Sequence, residues 1–134
     1  MAIPPEAPAK SAEGHLLANQ ILLGLAVALH ALSLLSVAIN VALAATGASP
    51  APATDSEAAA FYGTFACIGV WSAVGLLWAP VNLWGLHRRA RWARTSTVAY
   101  WSVSLFTCCC LPFGAYGIYA LLRRDVRAVF EPGA

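Results

Sequence analysis

The sequence predicts an all-α protein: an integral membrane helix bundle with three membrane segments, the third kinked or re-entrant. Three stretches carry this prediction, because they contain no Asp, Glu, Lys or Arg: Gly14 to Thr54 (41 residues), Ala58 to His87 (30) and Thr95 to Leu122 (28). A bilayer asks for roughly 20 apolar residues per spanning helix, and a soluble domain of this length has no core large enough to hide so much apolar surface. Composition agrees, with 60% hydrophobic residues, 10% charged residues and a mean hydropathy of +0.68. Soluble domains carry about 25% charged residues. A formal charge of +2 spread over two short arginine clusters excludes a nucleic-acid face.

Taken in chain order, residues 1–15 combine Pro and Ala with a few charges and no apolar period, which predicts a flexible tail. A cleaved signal peptide competes, since Ala42-Leu43-Ala44 has the small residues of a cleavage site. Its apolar region, from about Leu16 to Val41, is longer than an ordinary h-region, and Lys10 is opposed by Glu6 and Glu13. The first span is read as 16–45. The segment 46–57, rich in Pro, Ala, Ser and Thr and with only acidic charges, ends it and forms a loop. The second span, 58–86, contains Pro80, whose ring removes one helical hydrogen bond and predicts a kink.

The cluster that follows holds Arg88, Arg89, Arg91 and Arg94, with the interfacial aromatics Trp84 and Trp92 beside them. Because Lys and Arg concentrate in cytoplasmic loops, this places residues 87–95 and the N-terminus inside. The third segment, 95–122, would then carry Arg123, Arg124 and Arg127 outside if it crossed once. The alternative is a re-entrant pair of half-length helices broken at Leu111-Pro112-Phe113-Gly114, which keeps all seven arginines on one side. The preferred expectation is the single kinked crossing, with Pro112, Gly114 and Gly117 as its hinge. In the tail, residues 123–134, Val126, Val129 and Phe130 recur at helical spacing beside arginines, as in a short interfacial helix.

At about 100° per residue, Asn19, His30, Ser33, Ser36 and Asn40 fall in one sector of the first span. Thr64, Cys67, Trp71, Gly75, Trp78, Asn82 and Gly85 share a sector of the second, and Thr97, Tyr100, Ser104, Thr107 and Gly114 make a third stripe. In lipid such polar sectors face other helices, and small residues at Gly75 and Ala79 permit close approach. His30 is the one readily titratable side chain near mid-span, a candidate for proton-linked or ligand-binding work as well as for packing.

No catalytic, metal or cofactor motif stands out. The spans hold no carboxylate, Ser33, Ser36, Ser72, Ser102 and Ser104 have only His30 as a base, and His15 and His87 are too near the span ends for bis-histidine haem ligation. Cys67 and Cys108 to Cys110 form no C-x-x-C pair and read as small packing hydrophobes, with acylation of the triplet as the other reading.

The C-terminal run LPFGAYGIYALLRRDVRAVF carries Leu111, Pro112, Gly114, Gly117, Ile118, Tyr119, Leu121, Leu122, Val126, Arg127 and Phe130. In these residues it resembles the endings of small bacterial multi-pass membrane proteins with no assigned activity. The resemblance implies a bacterial inner-membrane protein, and seven Arg to one Lys with heavy Ala use fits a GC-rich genome. The functional expectation is a non-enzymatic subunit or scaffold acting by helix packing, partnered by membrane lipid and by itself or another membrane protein. The alternative is a small transporter or channel component with a polar pathway around His30.

Overall fold

The computed structural model describes residues 6–48, 52, 54–105 and 111–131. Among them are five helices and no strand: α1 (Glu6–Ala45), α2 (Asp55–His87), α3 (Arg91–Leu105), α4 (Leu111–Leu122) and α5 (Arg124–Phe130). Two of these, α1 and α2, are long and apolar enough to cross a membrane. The expected third span is absent as a span; its residues form the two shorter helices α3 and α4.

Helix α1 begins at Glu6, ahead of the expected Leu16, so part of the segment read as a tail is helical. Its long run without proline from Ala9 onward, rich in Leu and Ala, suits the helix throughout. It ends where Gly47 adopts a left-handed conformation (φ 70°). The Ala48 N–H then reaches the Leu43 carbonyl at 3.0 Å and the Gly47 N–H the Ala44 carbonyl at 3.3 Å, a Schellman closure. Helix α2 opens on Thr54, whose hydroxyl accepts from the Glu57 N–H at 3.3 Å, and Asp55 and Glu57 place negative charge at its N-terminus. It runs through Pro80 and closes with the same pattern, Ala90 N–H to Gly85 O at 2.9 Å and Arg89 N–H to Leu86 O at 3.1 Å. Here the left-handed residue is Arg89 (φ 54°) rather than glycine.

The chain divides into two compact units, one of Ala26–Leu77 and one of Met1–Leu25 with Trp78–Ala134. The first, the two-helix unit, pairs the later part of α1 with the earlier part of α2. Its large apolar side chains point outward, with Leu32 62% and Leu77 75% exposed. The second, the five-helix unit, buries Leu16, Leu86, Tyr100, Leu121 and Phe130 from all five helices.

Within the five-helix unit, α2, α3 and α4 run alternately up and down. A Cβ at Gly85 would meet the Ala93 Cβ at 2.6 Å, so the α2–α3 turn is closed by direct backbone approach. Helices α3 and α4 form an antiparallel hairpin: Leu105 lies against Gly114 and Trp101 against Gly117. The two glycines, one turn apart, are where α4 lies on α3, and Pro112 stands in the first turn of α4, where its missing N–H costs no helical bond. The hairpin corrects the expectation of a single kinked crossing. Its physical cause is this small-residue face, which rewards folding back. Residues 106–110, which join the two helices and include Thr107 and the Cys108 to Cys110 triplet, lie outside the described residues, as do Pro132 and Gly133.

Candidate functional site

The polar side chains singled out on α1 and α2 separate into three groups. The deepest is centred on Asn19, fully buried in the five-helix unit. Its Oδ1 accepts a hydrogen bond from the Trp101 indole Nε1 at 3.1 Å, and its Nδ2 faces the carbonyls of His15 and Gly117, each at 3.5 Å. Gly117 is needed here, because a Cβ would stand 2.5 Å from the Trp101 Nε1. One turn below, His15 Nδ1 and the Tyr116 hydroxyl are 3.0 Å apart. One amide thus ties α1 to both arms of the α3–α4 hairpin.

Beside it, the Trp78 indole donates to the Ser96 hydroxyl at 2.9 Å and meets the Tyr100 ring edge-on, 5.6 Å between centroids. Tyr100 in turn contacts Trp101 at 5.1 Å. The same two helices also carry Asn82, on α2, and Thr97, on α3. Both are fully buried, and neither the Asn82 amide atoms nor the Thr97 Oγ1 has a hydrogen-bond partner among the described residues. An unmade buried hydrogen bond costs about 1–3 kcal/mol, whereas replacing both groups by apolar ones of similar shape is near neutral or stabilising. The double variant Asn82→Leu with Thr97→Val is therefore expected to gain about 1–3 kcal/mol in reversible unfolding in detergent. A loss of stability would contradict this account of the pair.

In the two-helix unit, His30 meets Trp71 edge-on at 6.2 Å, and Gly75 lies directly under the imidazole, where a Cβ would overlap the ring. Gly69 approaches Val37 on the same face, with 3.8 Å for a built Cβ. Ser33 is half-buried. The outer parts of the two stripes behave differently from the expected interhelical seam. The Asn40 amide donates back to the Ser36 carbonyl at 2.8 Å and the Thr64 hydroxyl to Ala60 O at 2.8 Å, so these groups are satisfied within their own helices.

At one end of the five-helix unit the arginines converge. Arg89 pairs with Glu13 at 3.5 Å, Arg94 with Glu131 at 3.3 Å and Arg127 with Glu131 at 2.9 Å, while Arg123 is bidentate to Asp125. Arg88 lies over the Trp84 ring, 4.9 Å from its centroid. The Arg127 hydrogen bond, with the charges of Arg94 and Arg91 behind it, holds the Glu131 carboxyl below the usual carboxylate range, and the Arg123 hydrogen bond does the same for Asp125. The Arg94–Glu131 pair places both arginine clusters at the same end, where a single crossing would have separated them.

Sequence patterning pointed to Asn19, His30, Trp71, Gly75 and Trp78 but missed the hydrogen-bond partners Trp101, for Asn19, and Ser96, for Trp78. Trp101 and Ser96 were not marked, although an indole N–H in a charge-free segment needs an acceptor. Glu13 and Glu131 were also passed over, being ion-pair partners across long sequence separations.

The fold and these contacts define a class: a chain whose described residues are all-helical, with two helices long and apolar enough to cross a membrane, and a helical hairpin bound by buried polar contacts within the five-helix unit. Comparisons with protein-family models, curated proteins and solved structures give no match.

Proposed function

We propose that this chain is a multi-pass membrane protein with a non-enzymatic role, a subunit or scaffold that works through helix packing. Helices α1 and α2 are the spans. Their most apolar windows are only 6% and 17% buried, so neither is the hidden core helix of a soluble domain. Helices α3 and α4, at 15 and 12 residues, reach about 22 and 18 Å, short of the roughly 30 Å hydrocarbon core. They form a re-entrant hairpin, tolerable in a membrane because α1 and α2 cover their polar groups.

Convergence of both arginine clusters supports a cytoplasmic position for that end, with the N-terminus and residues 87–95, and puts the 46–54 connection on the other side. The exposed Trp84 and Trp92 suit the headgroup level there. A bacterial inner membrane is the compartment that the arginine-rich, alanine-rich composition favours.

The observation that carries the packing role is the use made of Asn19. Its amide is spent on Trp101 and the α4 backbone, which joins helices and leaves no polar atom for a passing solute. The competing pathway around His30 has weaker support, since Gly75 and Trp71 cover that ring. The test is affinity purification from native membranes in mild detergent, with mass spectrometry of the intact particle. A stoichiometric second protein or a defined homo-oligomer is expected. A monomer without companions would overturn the subunit reading.

A further inference from the structure

The arginine-rich end holds more positive charge than its own acids neutralise. Among the described residues, Arg91, Arg94, Arg124 and Arg127 gather near the single carboxylate of Glu131, which is already shared by Arg94 and Arg127. Arg124 is exposed, with no carboxylate of a described residue within ion-pair distance. Together with Arg127, Ala128 and Glu131 it lines a cleft of about 330 Å³. One turn earlier in the chain, the outward face of α4 carries Tyr119, 58% exposed, and Leu122, 60% exposed. A cleft with surplus guanidinium charge on α5, together with outward apolar side chains on α4, the helix just before it in the chain, matches a molecule with an anionic head and long apolar tails. A free phosphate would use the first feature and leave the second without a role.

We propose that Arg124 and Arg127, with Arg91 adding to the field, hold the phosphate headgroup of an anionic phospholipid whose acyl chains lie along Tyr119 and Leu122. Guanidinium groups suit this task because their planar donors engage phosphate oxygens two at a time. Glu131 lines the cleft as well and is bonded to Arg127, but its one charge against Arg91, Arg94, Arg124 and Arg127 leaves the surplus positive. The proposal rests on the membrane reading and adds to it a particular lipid class and a particular place.

The test uses the full chain, purified in mild detergent with equal amounts of phosphatidylglycerol and phosphatidylcholine, and native mass spectrometry to count retained lipids. Phosphatidylglycerol should be retained in preference. Each arginine near a lipid surface contributes roughly a fivefold preference, so Arg124→Gln should lower retention about fivefold, and Arg124→Gln with Arg91→Gln about 25-fold, at unchanged thermal stability. Both positions are exposed, and Arg124→Gln alone suffices if the double variant does not fold. Equal retention of the two lipids, unchanged retention in Arg124→Gln, or displacement by millimolar inorganic phosphate would overturn the proposal. Alkaline carbonate treatment of native membranes separates the two readings. A chain that washes out removes the membrane reading itself, whereas a chain that stays without preferring phosphatidylglycerol removes this inference alone.

Discussion

Replacing Trp101 by Ala is expected to be the most damaging single change in the five-helix unit, with a loss of about 3–5 kcal/mol. The indole is 2% exposed and fits against Gly117, so its removal leaves a cavity that the two backbones cannot collapse to fill. The loss has a second part. Asn19, fully buried, would forfeit the 3.1 Å hydrogen bond from the indole and keep an unpaired carbonyl oxygen in the interior. Trp101→Phe separates the two effects, since it retains most of the volume and deletes the donor. It should cost about 1–3 kcal/mol, and Asn19→Leu added to it should recover part of that loss. Unfolding in detergent, followed by near-ultraviolet circular dichroism, reads all three. If Trp101→Ala unfolded within 1 kcal/mol of the parent, the assignment of Trp101 as the link between α1 and the hairpin would be wrong.

The second large effect is expected at Gly75. Any side chain there overlaps the His30 ring, so Gly75→Leu should separate α1 from α2 in the two-helix unit. Overpacking of this kind typically costs about 1–3 kcal/mol, and the cost falls when the obstructing group is removed. His30→Ala should therefore rescue Gly75→Leu, while His30→Leu alone should leave assembly intact. Thiol cross-linking between Val37→Cys and Gly69→Cys, two positions that face each other in this unit, gives the readout. Cross-linking should be lost in Gly75→Leu and restored in the double variant. An undiminished cross-link in Gly75→Leu would show that the close approach is not what holds these helices. If His30→Leu abolished a cellular phenotype while assembly survived, the pathway reading would regain ground.

How legible the chain was depends on the range of the interaction. Charge-free length alone identified α1 and α2, because hydrogen bonding within a helix is local and apolar length is a property of one segment. The stripe at helical spacing found Asn19, His30, Gly75 and Trp78 for the same reason: one face of one helix is a property of one segment. What the pattern could not supply was the pairing between segments. Trp101 lies 82 positions from the amide it serves, and Glu131 is far in sequence from Arg94. Charge-free length favours the single crossing over the hairpin. Twenty-eight charge-free residues read as one long helix until it is known that Gly114 and Gly117 face Leu105 and Trp101. The opposite placement of charge was the better guide, since a fold that returns the chain keeps Arg123, Arg124 and Arg127 beside Arg94.

The hairpin also has a bearing on biogenesis. If α1 and α2 are the spans, insertion machinery that selects segments by length and apolarity can admit each of them as it emerges from the ribosome. Neither α3 nor α4 is long enough to qualify alone. The bond between Asn19 and Trp101 and the seat on Gly117 join α1 to residues that follow α2 in the chain, so they close only after both of these helices have been made. Until then Asn19 has no indole to receive. On that reading, docking of the hairpin is the step that completes the Asn19 contacts, and it follows the insertion of both spans.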